Sequence, residues 1–201
     1  LAYAQTHPER VTALVLRGIF LLRKQELAWF YQDGCRSIFP DAWEAFERGI
    51  PPAERGDMIS AYYLRLIDPD PKVHLPAAAA WSVWEGTTLS LVEDPTRIHA
   101  FANPGYALAF ARIECHYFIN NGFFDEDGAL LQRAGALTSI PGIIVHGRYD
   151  MVTPLRSAWD LKAVWPSAEL RIVPDAGHAM TEPGTVHELV RATRQFRVAG
   201  A

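Results

Sequence analysis

The chain has 201 residues, of which 49% are hydrophobic and 11% aromatic, and its formal net charge is −4. This composition can supply a folded core and excludes general disorder, and the mild charge gives no electrostatic reason to expect nucleic acid or an anionic membrane as a partner. The two cysteines form no disulfide framework, nothing resembles a signal peptide, and the longest apolar stretch is too short to span a bilayer, so we expect a cytoplasmic protein.

The first predicted elements are a helix and a strand. Leu1 to His7 is typical of the end of a helix, which Pro8 stops, and no capping residue precedes it. We therefore expect that the chain continues upstream of Leu1. The continuous apolar run from Val11 to Phe20 predicts a strand that is buried on both faces of a parallel sheet.

The middle of the chain, residues 21–136, shows helical patterns separated by Pro and Gly, and no β-rich run. The predicted helices are Asp41–Arg48 with Asp41 as its N-cap, Ala53–Ile67, Ala77–Val92 and Tyr106–Asn120. A helical insertion of this length between two sheet strands is typical of a cap domain over an active site.

The last part of the chain alternates strands and helices. The predicted strands are Ile140–Gly147 and Glu169–Pro174, and the helices that follow them are Pro154–Trp165 and Thr185–Phe196. This alternation indicates a doubly wound α/β sheet. The predicted domains are therefore an α/β core at residues 1–20 and 137–201 and a helical cap at residues 21–136.

Polar motifs follow the last two predicted strands. His146-Gly-Arg-Tyr-Asp150 ends one strand, and Val173-Pro-Asp-Ala-Gly-His178 ends the next. Because the carboxyl ends of parallel strands meet at one edge of a sheet, we expect Asp150 and His178 to lie close together. Such an Asp fixes the tautomer of a catalytic His and stabilises the imidazolium that it forms. The alternative is that Asp150 caps a turn and His178 is an incidental loop histidine, but the two together, in this order, favour catalysis.

These motifs resemble the acid and histidine segments of α/β-hydrolases, in which the chain order is nucleophile, acid, histidine. Further segments resemble those of the proline iminopeptidases (prolyl aminopeptidases): Leu1–Arg10, Leu16–Phe20, Trp29–Gly34, Trp81–Gly86 and Ala111–Phe118. The resemblance covers nearly the whole chain. It implies the C-terminal part of an α/β-hydrolase sheet with an inserted all-helical cap domain, and a serine exopeptidase whose partners are small peptides with N-terminal proline.

The resemblance also implies where the nucleophile lies. It should be the serine of a Gly-x-Ser-x-Gly turn before Asp150, and no serine of the chain has that context. In the family, the nucleophile helix continues into a segment similar to Leu1–Arg10, so we expect the serine a few residues before Leu1 and the oxyanion loop further upstream. We therefore expect this piece to be inactive alone and, because its first strand lacks a neighbour, to be poorly soluble or to associate.

Two glutamates of the predicted cap lie on apolar helix faces. Glu85 is one turn from Trp81, and Glu114 is one turn from Phe118. A carboxylate on such a face is costly unless it is paired, so each should meet a cation. The resemblance implies that both bind the amino terminus of the substrate. The alternative is a salt bridge to a neighbouring arginine, with Arg112 as the candidate for Glu114.

The remaining candidates carry weaker signals. Phe20 and Tyr31 are candidate walls of an apolar pocket for a pyrrolidine ring, although aromatic residues at these positions are equally suited to a core. We expect His146 to be structural and Cys115 to be a buried thiol. The other histidines show no metal-ligand spacing, so we predict no metal and no cofactor.

Two other functions stay open at this point. An esterase, amidase or epoxide hydrolase with a related cap would use the same acid and histidine without needing an ammonium site. A noncatalytic binding module would keep the pocket but have no nucleophile. Substitution of Glu85 and Glu114 separates the first of these from a peptidase, because only the peptidase should lose activity.

Overall fold

The computed structural model describes residues 1–199. Its strands are β1 (Leu14–Arg17), β2 (Gly142–Gly147) and β3 (Ala168–Val173). Its α-helices are α1 (Ala2–Thr6), α2 (Lys24–Tyr31), α3 (Pro40–Glu47), α4 (Met58–Leu66), α5 (Pro71–Thr88), α6 (Pro95–Phe101), α7 (Pro104–Ile119), α8 (Ala129–Gln132), α9 (Leu155–Val164) and α10 (Pro183–Ala199). Within residues 1–199, no helix is both long enough and apolar enough to cross a membrane.

The chain divides into two compact units. The first unit contains Leu1–Leu21 and the residues from Gly128 onward, and the second contains Leu22–Asp127. The strands all belong to the first unit, and residues 22–127 contain helices and loops only. The predicted core and cap boundaries, after residues 20 and 136, stay predictions, and in the structure α8 and the turn that follows it belong to the first unit.

The first unit is built on a parallel sheet with the strand order β1-β2-β3. Every residue of β2 is buried, which is typical of a strand that is covered on both faces. Helix α10 packs its apolar side on this sheet, where Ala192 joins a buried cluster with Ile143, Val145 and Val173. A parallel sheet flanked by helices fits the predicted α/β-hydrolase class.

The second unit has an aromatic core. Its buried rings are Phe30, Tyr31, Trp43, Phe46, Tyr62, Trp81 and Trp84. Tyr31 stacks on Trp81 with ring centroids 4.4 Å apart, and Phe46 stacks on Tyr62 at 4.5 Å. Each aromatic side chain buries roughly 150–250 Å², so these rings supply much of the apolar surface that stabilises the unit.

Two predicted helix starts in the second unit are wrong. Asp41 is not an N-cap, because α3 begins at Pro40 behind Phe39 and Asp41 lies in its first turn. The helix predicted from Ala53 begins instead at Met58. There Asp57 is the N-cap, and its carboxylate accepts a hydrogen bond from the backbone N–H of Ser60 at 3.1 Å.

Two other helices have proline or capping residues at unusual positions. Helix α5 begins at Pro71 rather than Ala77, and Pro76 lies inside it, although proline removes one backbone hydrogen bond and usually ends a helix. Helix α2 was not predicted. Its cap is Arg23, whose backbone N–H donates to Glu26 at 2.9 Å, and arginine is not among the residues that mark a helix start.

Candidate active site

The loops that carry Asp150 and His178 lie against each other at the carboxyl ends of β2 and β3. The backbone N–H of Tyr149 donates to the carbonyl of Ala176 at 3.0 Å. Gly147 makes this approach possible, since a Cβ on this residue would lie 2.0 Å from the carbonyl oxygen of Gly177. Glycine is therefore required at the end of β2 for the two loops to meet.

The structure brings Asp150 and His178 together. Nδ1 of His178 lies 2.9 Å from Oδ2 and 3.1 Å from Oδ1 of Asp150, which is only 3% exposed. Thr153 also binds this carboxylate, with its backbone N–H donating to Oδ1 at 2.8 Å and its hydroxyl lying 3.1 Å from Oδ2. Because an ionised carboxylate only accepts hydrogen bonds, Nδ1 of His178 carries a proton and donates a hydrogen bond to Asp150.

The surroundings of Asp150 keep its carboxylate ionised. Burial alone would raise its pKa, but the hydrogen bond from His178 and the electrostatic interactions with His178 and His146, together with the Thr153 N–H, outweigh burial and hold the pKa of Asp150 below its ordinary value of 3.8. Asp150 therefore stays negative at neutral pH, as a residue that orients a general base must.

Arg17, the last residue of β1, binds His178 on the other side. Its Nη1 donates to the His178 carbonyl at 3.1 Å, and its Nη2 lies 2.7 Å from the ring atom Nε2. Gly18 gives the ring room, because it has φ +50° and a Cβ there would lie 2.8 Å from Cε1 of His178. Sequence reasoning missed Arg17, whose only signal was its place at a strand end.

His146 joins the loop after β1 to the acid loop. Its Nδ1 accepts a hydrogen bond from the N–H of Ile19 at 3.3 Å, and its Nε2 lies 2.8 Å from the Thr153 carbonyl and 3.4 Å from Oδ2 of Asp150. Burial lowers the pKa of His146, and the nearby charge of Asp150 only partly opposes this. The ring is therefore neutral with its proton on Nε2, which agrees with the structural role expected from the sequence.

Glu85 and Glu114 lie in the second unit, on α5 and α7. The Tyr31 hydroxyl donates to Oε1 of Glu85, which is buried, and the indole N–H of Trp81 donates to Oε2 of half-buried Glu114 at 3.0 Å. Since Tyr31 and Trp81 are themselves stacked, the rings tie the two carboxyl groups into one cluster.

Both carboxyl groups hold protons more strongly than usual. Burial, followed by the negative charge of Glu114, raises the pKa of Glu85 well above its ordinary value, against the opposing hydrogen bond from Tyr31. Burial raises the pKa of Glu114 to about 7, against the hydrogen bond from Trp81. The two groups are therefore close enough for each to influence the protonation of the other.

The arginine alternative for Glu114 does not occur in the structure. Arg112 instead donates from Nε to the Leu66 carbonyl at 2.7 Å. Among residues 1–199, no Lys, Arg or His side chain forms an ion pair with Glu85 or Glu114. An acid pair with one buried and one half-buried carboxyl group is costly to ionise without a cation, so this cluster is suited to bind a cation from outside.

The other candidates lie in different settings. Phe20 follows β1 in the first unit and is half-buried, whereas Tyr31 is fully enclosed in the aromatic core of the second unit. Cys115 is fully buried, its thiol lies 3.4 Å from the Ile59 carbonyl, and burial raises its pKa to about 12. It is therefore an unreactive thiol. In the part of the chain that the structure describes, no group of three or more His, Cys, Asp and Glu is arranged to hold a metal ion.

Known proteins align with this chain over nearly its whole length. The chain is 57% identical over 196 residues to a protein of Leptolyngbya boryana named "Probable proline iminopeptidase", covering 98% of this chain and 61% of that protein. It is 56% identical to a "Proline iminopeptidase" of Xylella fastidiosa and 49% identical to one of Arabidopsis thaliana, covering 63% and 52% of their lengths. No protein-family model matches the chain.

These similarities confirm the resemblance predicted from the motifs. The aligned part includes 98% of this chain in each case, so it takes in both the sheet unit and the helical unit. The chain spans less than two thirds of the length of these relatives. By sequence, the chain is a relative of the proline iminopeptidases.

Proposed function

We propose that the protein carrying this chain is a serine exopeptidase that releases N-terminal proline from small peptides. Two observations carry the proposal: an Asp–His pair arranged for general base catalysis, and a pair of acids, one buried and one half-buried, that forms no ion pair with a Lys, Arg or His among the described residues. The names of the relatives support the same activity. We also propose that the helical unit is a cap domain and that the nucleophilic serine comes from the part of the relatives that this chain does not span.

In the proposed reaction, the serine hydroxyl attacks the prolyl carbonyl while its proton passes to Nε2 of His178. Nδ1 of His178 keeps its proton and donates a hydrogen bond to Asp150, which stabilises the imidazolium. His178 then gives its proton to the departing amine, and the acyl-enzyme is hydrolysed when His178 accepts a proton from water in the same way. Asp150 orients the ring and stays ionised throughout.

The acid pair would recognise the free amino terminus of the substrate. The secondary ammonium of an N-terminal proline carries a positive charge, and Glu85 and Glu114 bind it when they release protons that they otherwise hold. An aminopeptidase needs such a site, because capture of the terminus sets the register so that only the first residue is removed. Phe20 and Tyr31 are the proposed apolar contacts of the pyrrolidine ring.

The test compares two substrates in the protein that carries this chain: proline 4-nitroanilide, which has a free imino group, and a simple 4-nitrophenyl ester. Asp150→Asn should lower kcat for both by about 10⁴-fold, since it disturbs the tautomer of the base. Glu85→Gln and Glu114→Gln should lower kcat/KM for the anilide by roughly 10²-fold, as expected when a buried charge pair with the substrate is lost, and leave ester hydrolysis unchanged.

Two controls sharpen this test. Acetyl-proline 4-nitroanilide lacks the charge, so it should be a poor substrate that the glutamate substitutions do not make worse. Glu44→Gln removes an exposed acid of α3, whose side chain is 76% exposed, and should change nothing. Full anilide activity in Glu85→Gln and Glu114→Gln would favour the esterase or amidase alternative, and full activity of Asp150→Asn on both substrates would rule out the catalytic pair.

A further inference from the structure

The contact between Arg17 and His178 has no place in the reaction just described. Arg17 uses two nitrogens of one guanidinium, Nη1 on the His178 carbonyl at 3.1 Å and Nη2 on Nε2 at 2.7 Å. The two bonds hold the backbone and the ring of the same residue. Arg17 is half-buried at the end of β1 and His178 has a side chain that is only 13% exposed, so solvent competes weakly for either bond.

The chemistry of the two groups determines which protons are present. A guanidinium has five N–H donors and no acceptor, so Nε2 of His178 must offer its lone pair to Arg17. A protonated imidazole would place an N–H and a positive charge against another donor and positive charge. The contact therefore exists only with neutral His178, with its single proton on Nδ1 facing Asp150.

The same two partners prevent the ring from turning over. Asp150 accepts from Nδ1 on one side, and Arg17 donates to Nε2 on the other. A flip by 180° about the Cβ–Cγ bond would replace both nitrogens with carbon atoms and break both hydrogen bonds.

We propose that Arg17 is a positioning residue that holds His178 at two points and covers its proton-accepting nitrogen, Nε2, until a hydroxyl replaces the guanidinium there. The catalytic meaning of this contact rests on the proposed role of His178 as general base. The contact itself can be measured without catalysis. Failure of the peptidase assay and failure of this proposal are therefore separate results.

The test measures how fast diethyl pyrocarbonate acylates Nε2 of His178, because the reagent attacks only an available lone pair. Arg17→Met keeps the apolar stem and removes both donors. We expect His178 to react about tenfold faster in this variant, the ratio that corresponds to the loss of a hydrogen bond to a charged group. His116 and His187, which are exposed, serve as references within the same chain and should react at unchanged rates. Peptide mass spectrometry assigns each adduct.

The matched control is Arg156→Met, which removes an arginine whose side chain is 79% exposed and pairs with Asp160. It should leave the His178 rate unchanged. Equal His178 rates in Arg17→Met and the unmodified chain would overturn the proposal. Nitrogen NMR of the unmodified chain gives a second test that needs no substitution: Nε2 should resonate as a hydrogen-bonded acceptor with the proton on Nδ1, and a free Nε2 lone pair would equally overturn it.

Discussion

At the scale of single residues, burial has opposite results at the two acid sites because their neighbours differ. Asp150 is surrounded by donors, namely His178, Thr153 and His146, and its pKa falls. Glu85 and Glu114 have one neutral donor each, so burial raises both pKa values, and the charge of Glu114 raises that of Glu85 further. Desolvation disfavours the ionised carboxylate at both sites. The number of hydrogen-bond donors around each carboxyl group determines whether its pKa lies below or above the ordinary value.

The sequence could identify these acids but not their protonation. Helical spacing places Glu85 and Glu114 on apolar helix faces, and this predicts that each carboxylate needs a partner that compensates its charge. The spacing could not show that Arg112 binds a backbone carbonyl instead of Glu114, because side-chain choice among nearby partners depends on the packing of α4 against α7. Arg17 was missed for the same reason: its partner His178 is distant in sequence.

Glu114→Gln should remove a pH dependence of stability. The folded carboxyl keeps its proton up to about pH 7, whereas the unfolded one releases it near its ordinary 4.5. The folded state thus binds more protons in this range, so its stabilisation is full below 4.5 and is lost as the pH rises through 7. At pH 8 the substitution should raise the free energy of unfolding by on the order of 2 kcal/mol, and at pH 4.5 change it little.

Urea unfolding at the two pH values, followed by tryptophan fluorescence, measures this effect. Glu44→Gln, the exposed control on α3, should show the same stability as the unmodified chain at both values. If Glu114→Gln lowered stability at pH 8, the hydrogen bond from Trp81 would matter more than the cost of the buried charge, and the raised pKa would lose its support.

At the scale of elements, strands were easier to predict than helix ends. β2 and β3 lie within a residue or two of their predicted runs. Burial on both faces explains the apolar run of β2, whereas β3 carries the exposed Glu169, and β1 is shorter than its predicted run and half-buried along its length. Helix ends depend on single capping contacts instead. Asp57 caps α4, and Arg23 and Glu26 bind each other at the start of α2. Residues with the same spacing are found in many loops as well.

Gly147→Ala should separate the two catalytic loops. The new Cβ would lie 2.0 Å from the Gly177 carbonyl oxygen and 2.5 Å from that of Ala176, and both are backbone atoms that cannot turn away. We expect a loss of about 2 kcal/mol or more in the free energy of unfolding, typical of overpacking at a rigid site. NMR should also show a weakened Nδ1–H···Asp150 hydrogen bond at His178.

Gly135→Ala is the matched control, because its Cβ would meet nothing within 4 Å and it lies in the same unit. Its stability should stay within about 0.5 kcal/mol of the unmodified chain, as for ordinary surface substitutions. If Gly147→Ala were as stable as this control, the loops would have room to move apart without cost, and their geometry would not depend on glycine.

At the scale of the whole molecule, the sequence predicted an α/β core and a helical insertion, and the described chain contains a sheet unit and a helical unit. The end of the insertion was harder to place. Leu130, Ala134 and Leu137 are buried in the first unit, but their apolar pattern does not reveal which of two cores they join. The sequence predicts the end of the insertion at residue 136, just before the apolar run of the next strand, whereas the first unit resumes at Gly128.

The two units should also respond to pH in opposite directions. Asp150 in the sheet unit has a folded pKa below its ordinary 3.8, so its stabilisation is present above that value and is lost as the pH falls through the lowered pKa. Glu114 in the helical unit loses its stabilisation as the pH rises through 7. These two contributions together favour a maximum of stability near pH 4.5 to 5, with a decline on either side.

Unfolding free energies from pH 3 to 9 of the unmodified chain, Asp150→Asn, Glu114→Gln and the double variant test this expectation. Asp150→Asn should be less stable at pH 7 by roughly 3 kcal/mol, as for a broken buried pair, and the difference should shrink towards pH 3. Glu114→Gln should weaken only the decline above pH 4.5, to which Glu85 still contributes through its own raised pKa, and the double variant should weaken both slopes. An acid decline that persisted unchanged in Asp150→Asn would mean that other carboxylates govern acid stability, and the tight Asp150–His178 pair would then not be what holds the sheet unit together at low pH.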